Sequence, residues 1–365
     1  MVVYGRGTAP GNINNIKIGS RLEIFLNRLI ARVFDLDGFC AIFGTRKLIK
    51  NIKKFSPDIV HLHNLHGDYI NLSMLFNFLK KYNKPVVWTL HDCWALTGHC
   101  SHFDYIKCEK WKNECNSCPQ KKSYPKSIFL DRSKRNYKQK KTFFTSIGNL
   151  TVVTPSKWLA GVVKESFLKD LTVKVINNGI DLEVFKPTDS QLREKLGLTD
   201  EKIIMGCAFS WTKRKGLDVF CELADMIEDE YKIVLVGVSE ELAKELPENI
   251  ITVQKTGTQN ELAEFYSIAD FFVNPTKEET LGMVNIEANA CGTPVITFNT
   301  GGSPECINEK SGIVTKNTTA QDIFNAIASA DFSREDCVER GVLFDKKIKY
   351  EEYIQLYKNI INKTV

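Results

Sequence analysis

Short β-rich runs alternate with amphipathic helical patterns along almost the whole of this chain, and that alternation limits its fold more than any other feature. Strands are predicted at 58–63, 85–90, 150–154, 173–177, 203–208, 232–236, 271–274, 294–298 and 313–315. Helical patterns fall between them at 72–82, 157–167, 217–227, 261–268, 284–290 and 323–329. Strand, helix, strand at this spacing reads as parallel βαβ units in a doubly wound α/β fold. The chain has 365 residues, enough for about two domains. The turn Asn178-Gly-Ile-Asp181, followed by Phe185-Lys-Pro187, marks the expected crossing between them. The expected division is 1–184, 185–348 and an amphipathic helix at 349–365 that packs back on the first domain. Two Rossmann-like halves facing a cleft is the architecture this order predicts.

Composition narrows the class. Apolar content of 43% and charged content of 25% are those of ordinary soluble proteins, and no run of about 18 apolar residues offers a membrane span. The first residues, Met1-Val-Val-Tyr-Gly-Arg, do not read as an export signal. Eleven cysteines without such a signal predict a reducing compartment, so a cytoplasmic location is expected. Charge is uneven. Residues 107–141 hold twelve Lys and Arg against three acids, a net of +9 in a chain of +5. That segment sits inside an excursion, 92–144, with little regular periodicity. A basic stretch there is either solvated decoration or a dock for an anionic partner such as a membrane surface. No motif that reads RNA or DNA accompanies it, so no nucleic-acid partner is expected.

The dinucleotide fingerprint GxGxxG and the phosphate-loop pattern are both absent, and Gly5-Arg-Gly7 lacks the third glycine. More informative is Asn274-Pro-Thr-Lys-Glu-Glu-Thr-Leu-Gly-Met-Val-Asn-Ile-Glu287. A strand ends at its start and a helix begins near Leu281, so the amides of Thr280, Leu281, Gly282 and Met283 form a seat for a diphosphate. Glu279 and Glu287 stand about 12 Å apart in helical rise, the scale on which a diphosphate separates two sugars. Glu is a common helix former, so the pair alone is weak evidence. Lys213-Arg214-Lys215-Gly216 adds cations after the strand at 203–208, where open α/β sheets bind ligands, although a cationic loop turned to solvent has the same sequence. Gly301-Gly302-Ser303 follows the strand at 294–298 and permits close backbone approach.

Taken together, these motifs resemble those of a retaining, GT-B-fold glycosyltransferase of family 4, similar to bacterial surface-polysaccharide enzymes. The resemblance rests on Pro57-Asp-Ile-Val-His-Leu-His63, Trp88-Thr-Leu-His-Asp92, Val153-Thr-Pro-Ser156, Asn178-Gly-Ile-Asp181, Arg214-Lys-Gly216, Glu279-x7-Glu287 and Ala290-Cys-Gly-Thr-Pro294. It implies that Glu287 holds the donor ribose, Glu279 the transferred sugar, and Lys215, with Arg214, the diphosphate. His91 is implied to reach the donor sugar from the first domain, with Asp92 and Trp94 beside it on the acceptor side. The implied reaction moves a sugar from a nucleotide-diphosphate sugar to an acceptor hydroxyl with retention and without a catalytic cofactor. A saccharide or lipid-linked saccharide is the expected acceptor, met at the inner face of a membrane.

Two departures qualify the resemblance. Many relatives carry an arginine where Ser210 stands, and the match begins about one βα unit late. A degenerate, non-catalytic sugar- or partner-binding protein of the same fold, or a nucleotide-sugar epimerase, is the alternative. Cys100, Cys108, Cys115 and Cys118 fall within 19 residues, with Cys115-x2-Cys118 at metal-knuckle spacing. They are expected to hold a structural zinc ion; reduced thiols or a redox pair are the other readings. His61 and His63, alternating on an apolar strand, read as core histidines, as does Trp88.

Overall fold

The computed structural model describes residues 1–5, 7, 11 and 13–363; Arg6 of the short glycine pair and residues 364–365 lie outside them. The chain divides into two compact units, Met1–Val175 with Gln355–Val365, and Ile176–Ile354.

The first unit runs β1 (Val2–Tyr4), β2 (Asn15–Lys17), α1 (Arg21–Phe34), α2 (Ile42–Phe55), β3 (Val60–Leu62), α3 (Leu72–Tyr82), β4 (Val86–Thr89), α4 (Ser133–Phe144), β5 (Leu150–Thr154), α5 (Lys157–Glu165) and β6 (Thr172–Val175). Strands β3-β4-β5-β6 form a parallel sheet in that order, and β1 and β2 pair separately, also in parallel. All four residues of β4 are buried, as a central parallel strand covered on both faces requires. Side-chain oxygens of Ser20, Asn71 and Ser156 accept from the first-turn amides of α1, α3 and α5, which fixes where those helices start. A groove of about 980 Å³ is lined by β1 residues on one side and β3 residues on the other.

Helices α1, α2 and α4 and strands β1 and β2 of this unit go beyond the sequence expectations, as do α8 (Glu240–Ala243), β9 (Ile250–Val253) and α12 (Arg334–Val342) of the second. The excursion at 92–144 also differs from its reading as an irregular segment. It contains α4, which buries Tyr137, Lys140 and Phe144, and it feeds Cys93, Trp94, Leu96, Phe103 and Trp111 into the first unit's hydrophobic core. Five of the twelve residues of α4 are Lys or Arg, so apolar periodicity barely marks it.

The second unit runs α6 (Leu192–Lys195), β7 (Lys202–Cys207), α7 (Leu217–Ala224), β8 (Tyr231–Val236), α8 (Glu240–Ala243), β9 (Ile250–Val253), α9 (Gln259–Ile268), β10 (Phe271–Asn274), α10 (Met283–Ala290), β11 (Val295–Phe298), β12 (Gly312–Thr315), α11 (Ala320–Ser329) and α12 (Arg334–Val342). Its six strands are parallel in the order β12-β11-β10-β7-β8-β9. The chain leaves β7 in one direction through β8 and β9, then returns to the other side of β7 with β10. That reversal creates a switch point between β7 and β10, where ligands bind in open α/β sheets.

Residues 176–184 group with the second unit, whereas the sequence places the break after 184. Ile180 bridges Asp345, and Lys346 pairs with Asp181. The last helix, α13 (Lys346–Asn362), starts in the second unit and ends in the first. There Tyr357 hydrogen-bonds through its hydroxyl to His61 Nδ1 at 2.6 Å. Among the described residues no helix is long and apolar enough to cross a membrane.

Candidate functional site

The loops after β7 and β10 meet at the switch point of the second unit. Lys213–Lys215 form a short 3-10 turn after β7, and the segment from Pro275 to Gly282 follows β10. The Lys277 N–H donates to the Arg214 carbonyl at 2.9 Å. Gly216 adopts φ +81°, and a Cβ there would stand 2.5 Å from the Pro275 carbonyl oxygen. Only glycine lets the two loops lie this close.

Two of the expected basic side chains, Lys215 and Arg214, have an acidic partner on the facing loop. Lys215 Nζ donates to Glu279 Oε2 at 3.0 Å, and Arg214 Nη1 lies 3.4 Å from Glu278 Oε1. Glu278 is almost fully buried, and sequence reasoning missed it because Glu279 beside it carried the spacing. Lys277 pairs with Asp218 at 2.7 Å. Ser210 is exposed.

Gly301 and Gly302 press on the backbone of Glu279, not on open space for a ligand. A Cβ on Gly301, at φ +55°, would meet the Glu279 carbonyl oxygen at 1.6 Å, and the Gly302 N–H donates to that same oxygen at 3.2 Å. These glycines therefore set the height of Glu279 at the end of the sheet.

Helix α10 starts at Met283, two residues after the expected Leu281, with Gly282 at φ +90° and no side-chain cap. The Asn285 N–H donates to the Gly282 carbonyl at 3.0 Å, which leaves the amides of Met283 and Val284 for an anion on the positive end of the helix dipole. Beside Gly282 lie Asn285 Nδ2 and Ser303 Oγ, both buried and without a hydrogen-bond partner. Two more polar groups thus stand ready at the same place. Thr280 and Leu281 are buried, and the Thr280 N–H donates to Glu279 Oε1 at 3.1 Å. One turn into the helix, Glu287 Oε2 accepts from the Tyr266 hydroxyl at 3.1 Å. Burial pushes the Glu287 carboxyl up to about 7, although the Tyr266 bond favours its ionised form.

The first unit gathers a second polar group at the ends of β3 and β4. His91 Nε2 and His63 Nδ1 share a hydrogen bond of 3.0 Å, with rings stacked 5.3 Å apart. His61 bonds Thr89 Oγ1 at 2.8 Å on its other nitrogen. Burial lowers the His61 imidazole to about 3 and, with the neighbouring His91, that of His63 to about 4. Burial also lowers His91, against the pull of Asp92. His63 is exposed as a residue, although its ring lies between those of His61 and His91, and it is the partner of His91 rather than a core histidine. Burial opposes the charge of Asp92, but His66 at 2.9 Å and the Trp94 N–H hold its carboxyl below the usual range.

Trp94 is corrected from acceptor contact to core. It is 2% exposed, and Lys140 Nζ sits 3.3 Å above its ring. Trp88 is buried, as expected, and its indole N–H donates to the His63 carbonyl at 3.0 Å. The cysteines Cys100, Cys108, Cys115 and Cys118 line one small cavity. Among the described residues no three His, Cys, Asp or Glu side chains stand in ready-made ligand geometry.

Residues 27–184 match the family described as Glycosyltransferase Family 4, and residues 188–339 match Glycosyl transferases group 1. The chain is similar to the putative colanic acid biosynthesis glycosyl transferase WcaC of Escherichia coli (strain K12). The two are 24% identical over 368 residues, covering 94% of this chain and 86% of that protein. Sucrose-phosphate synthase from Thermosynechococcus elongatus superposes with a TM-score of 0.66 at 20% identity, over 96% of this chain and 84% of that one. HepE of Anabaena, solved in complex with UDP-glucose, superposes with a TM-score of 0.62 at 15% identity, over 87% and 82%. At these identities the solved structures speak for the GT-B fold.

Proposed function

We propose that this chain, which belongs to the family 4 and group 1 glycosyltransferases, moves a sugar from a nucleotide-diphosphate sugar to an acceptor hydroxyl with retention of configuration. The observation that carries this reading is the uncapped N-terminus of α10 at the switch point, flanked by Lys215 and Glu279 on one side and by Glu287 on the other. The diphosphate takes the free amides of the helix, with Asn285 Nδ2 and Ser303 Oγ as further donors. Lys215 and Arg214 neutralise the charge that grows on the leaving diphosphate as the glycosidic bond breaks. Glu287 accepts from the ribose hydroxyls and Glu279 from the transferred sugar. The departing phosphate takes the acceptor proton, so the step needs neither a protein nucleophile nor a catalytic metal. His91, held by His63, is the catalytic candidate within the first unit.

The acceptor in this reading is a saccharide or lipid-linked saccharide in cell-surface polysaccharide synthesis, reached in the cytoplasm at an anionic membrane. Helix α1 supports the membrane contact. Leu22, Phe25, Leu26, Leu29 and Phe34 are all exposed on it, and Ile128, Phe129 and Leu130 continue the apolar surface where the 128–130 strip bonds to the carbonyls of Arg32 and Val33. Exposed Arg21, Arg32, Lys122 and Lys126 supply the charge that anionic lipid attracts.

The test is product analysis. Labelled UDP-, GDP- and ADP-sugars are incubated with the protein and with lipid-linked oligosaccharides from a membrane extract. A glycosylated lipid whose new bond keeps the donor's anomeric configuration supports the reading. Donor binding with no transfer to any acceptor points to a non-catalytic binding protein, and a new nucleotide sugar without acceptor points to an epimerase.

A further inference from the structure

We propose that Cys100, Cys108, Cys115 and Cys118 hold a structural zinc ion that fastens the 92–144 excursion to the first unit. The four sulfurs come from three separate stretches of that excursion, yet they line one small cavity of about 10 Å³ together with His99. Two already receive main-chain hydrogen bonds, from the Gly98 N–H to Cys115 and from the Gln120 N–H to Cys118. Metal-bound thiolates are commonly tuned by such outer-shell donors. Cys100 and Cys118 bond thiol to thiol. In that protonated state the thiols do not stand in ready-made ligand geometry. Zinc displaces those protons, draws the sulfurs in to about 2.3 Å and makes them tetrahedral ligands.

His99 points independently to an occupant. Its side chain is 1% exposed, its Nδ1 is held by Asp35 Oδ1 at 2.5 Å, and its Nε2 is buried with no partner. An unpartnered nitrogen in such a place is costly, and a thiolate of the filled site gives it an acceptor. Lys140 makes the same demand. Its buried ammonium donates to the carbonyls of Trp94 and Thr97 and has no carboxylate within ion-pair distance among the described residues. Four thiolates around one divalent ion carry a net negative charge, which balances a buried cation. The site anchors structure: among the residues around it, Phe103, Trp111 and Cys115 belong to the first unit's core.

The experiment uses the full chain purified without chelators. Elemental analysis is expected to find about one zinc per chain, and replacement by Co²⁺ is expected to give the absorption of a tetrahedral thiolate complex. Cys118→Ser and Cys108→Ser each lose the metal, while Cys93→Ser, a buried cysteine outside the cavity, keeps it. His99→Gln releases zinc to a chelator about 10–100-fold faster. Folded wild-type protein that holds no zinc and gives no tetrahedral Co²⁺ spectrum overturns the proposal. So does a Cys100–Cys118 disulfide found by mass spectrometry of protein kept under reducing conditions. The cobalt spectrum is read on the wild type, so a misfolded variant does not obscure the outcome.

Discussion

Lys215 Nζ lies 3.0 Å from Glu279 Oε2, so the cation proposed for the leaving diphosphate and the carboxylate proposed for the transferred sugar hold each other. Both side chains are partly open to solvent, and pairs of this kind contribute only about 0–1 kcal/mol to stability. In the proposed reaction a bound donor separates them and uses both.

Lys215→Met and Glu279→Gln are therefore each expected to lower kcat/KM by about 100-fold or more while moving Tm by no more than about 4 °C. Steady-state kinetics and thermal unfolding on the same preparations check this. A loss of activity that tracks a loss of folded protein would assign the pair a structural role instead.

With Glu287 at the ribose, as proposed, donor binding is expected to depend on pH. Its carboxyl is pushed up to about 7, and only the ionised form accepts two ribose hydroxyls. Nucleotide affinity is expected to fall about tenfold for each pH unit below 7, with a proton released on binding, and Glu287→Gln is expected to flatten the profile. Because the folded value lies above the ordinary 4.5, the contribution to stability is full below pH 4.5 and is lost as pH rises through about 7. Calorimetric titration in buffers of different ionisation heat reads the proton directly. A wild-type affinity that is constant from pH 5.5 to 8 would remove Glu287 from the ribose.

The histidines act in the opposite direction. His61 and His63 titrate at about 3 and 4, below the free value of 6.5. Their contribution is present above pH 6.5 and is lost as pH falls through those values. Acid unfolding of the first unit is expected in that window and to be less steep in His61→Gln. His63→Ala removes the 3.0 Å bond to His91 and is expected to lower kcat by about tenfold with nucleotide affinity unchanged. An unaltered kcat would show that His91 needs no partner.

Membrane contact through α1 predicts that the protein sediments with phosphatidylglycerol vesicles at low salt and far less with phosphatidylcholine. Phe25→Glu together with Leu29→Glu is expected to abolish sedimentation without lowering Tm, since both side chains are exposed. Equal binding to both lipids, or binding that survives the double change, would contradict that surface.

Much of the second unit is legible in its sequence. Its central strands β8, β10 and β11 are short and mostly buried, and Glu279 and Lys215 follow predicted strands, which reads as a sheet end; the edge strand β9, with one buried residue, goes unread. Their partners are not legible. Tyr266 lies 21 residues from Glu287, and Arg214 lies 64 from Glu278; the strand order brings them together, and no local pattern encodes that order. The same holds for Asn285 and Ser303 beside Gly282, and for Gly301 under Glu279. His63 reads as core from its alternation, yet it stands at the end of β3, where burial stops. Trp94 follows a polar pair, yet α4 arrives from some 40 residues later and covers it with Lys140. Helix α4 is hidden for a related reason: its lysines obscure a stripe that one tyrosine and one phenylalanine suffice to make.

The most direct measurement is thermal unfolding of wild type and Glu287→Ala against UDP, GDP, ADP and their sugars. Ligand at 100 times Kd stabilises the folded state by about 2.7 kcal/mol, a shift of about 5–11 °C for a domain of this size. The account predicts such a shift for one nucleotide family in the wild type and its loss in the variant. No shift with any nucleotide, or an equal shift in both proteins, would contradict a donor site at the start of α10.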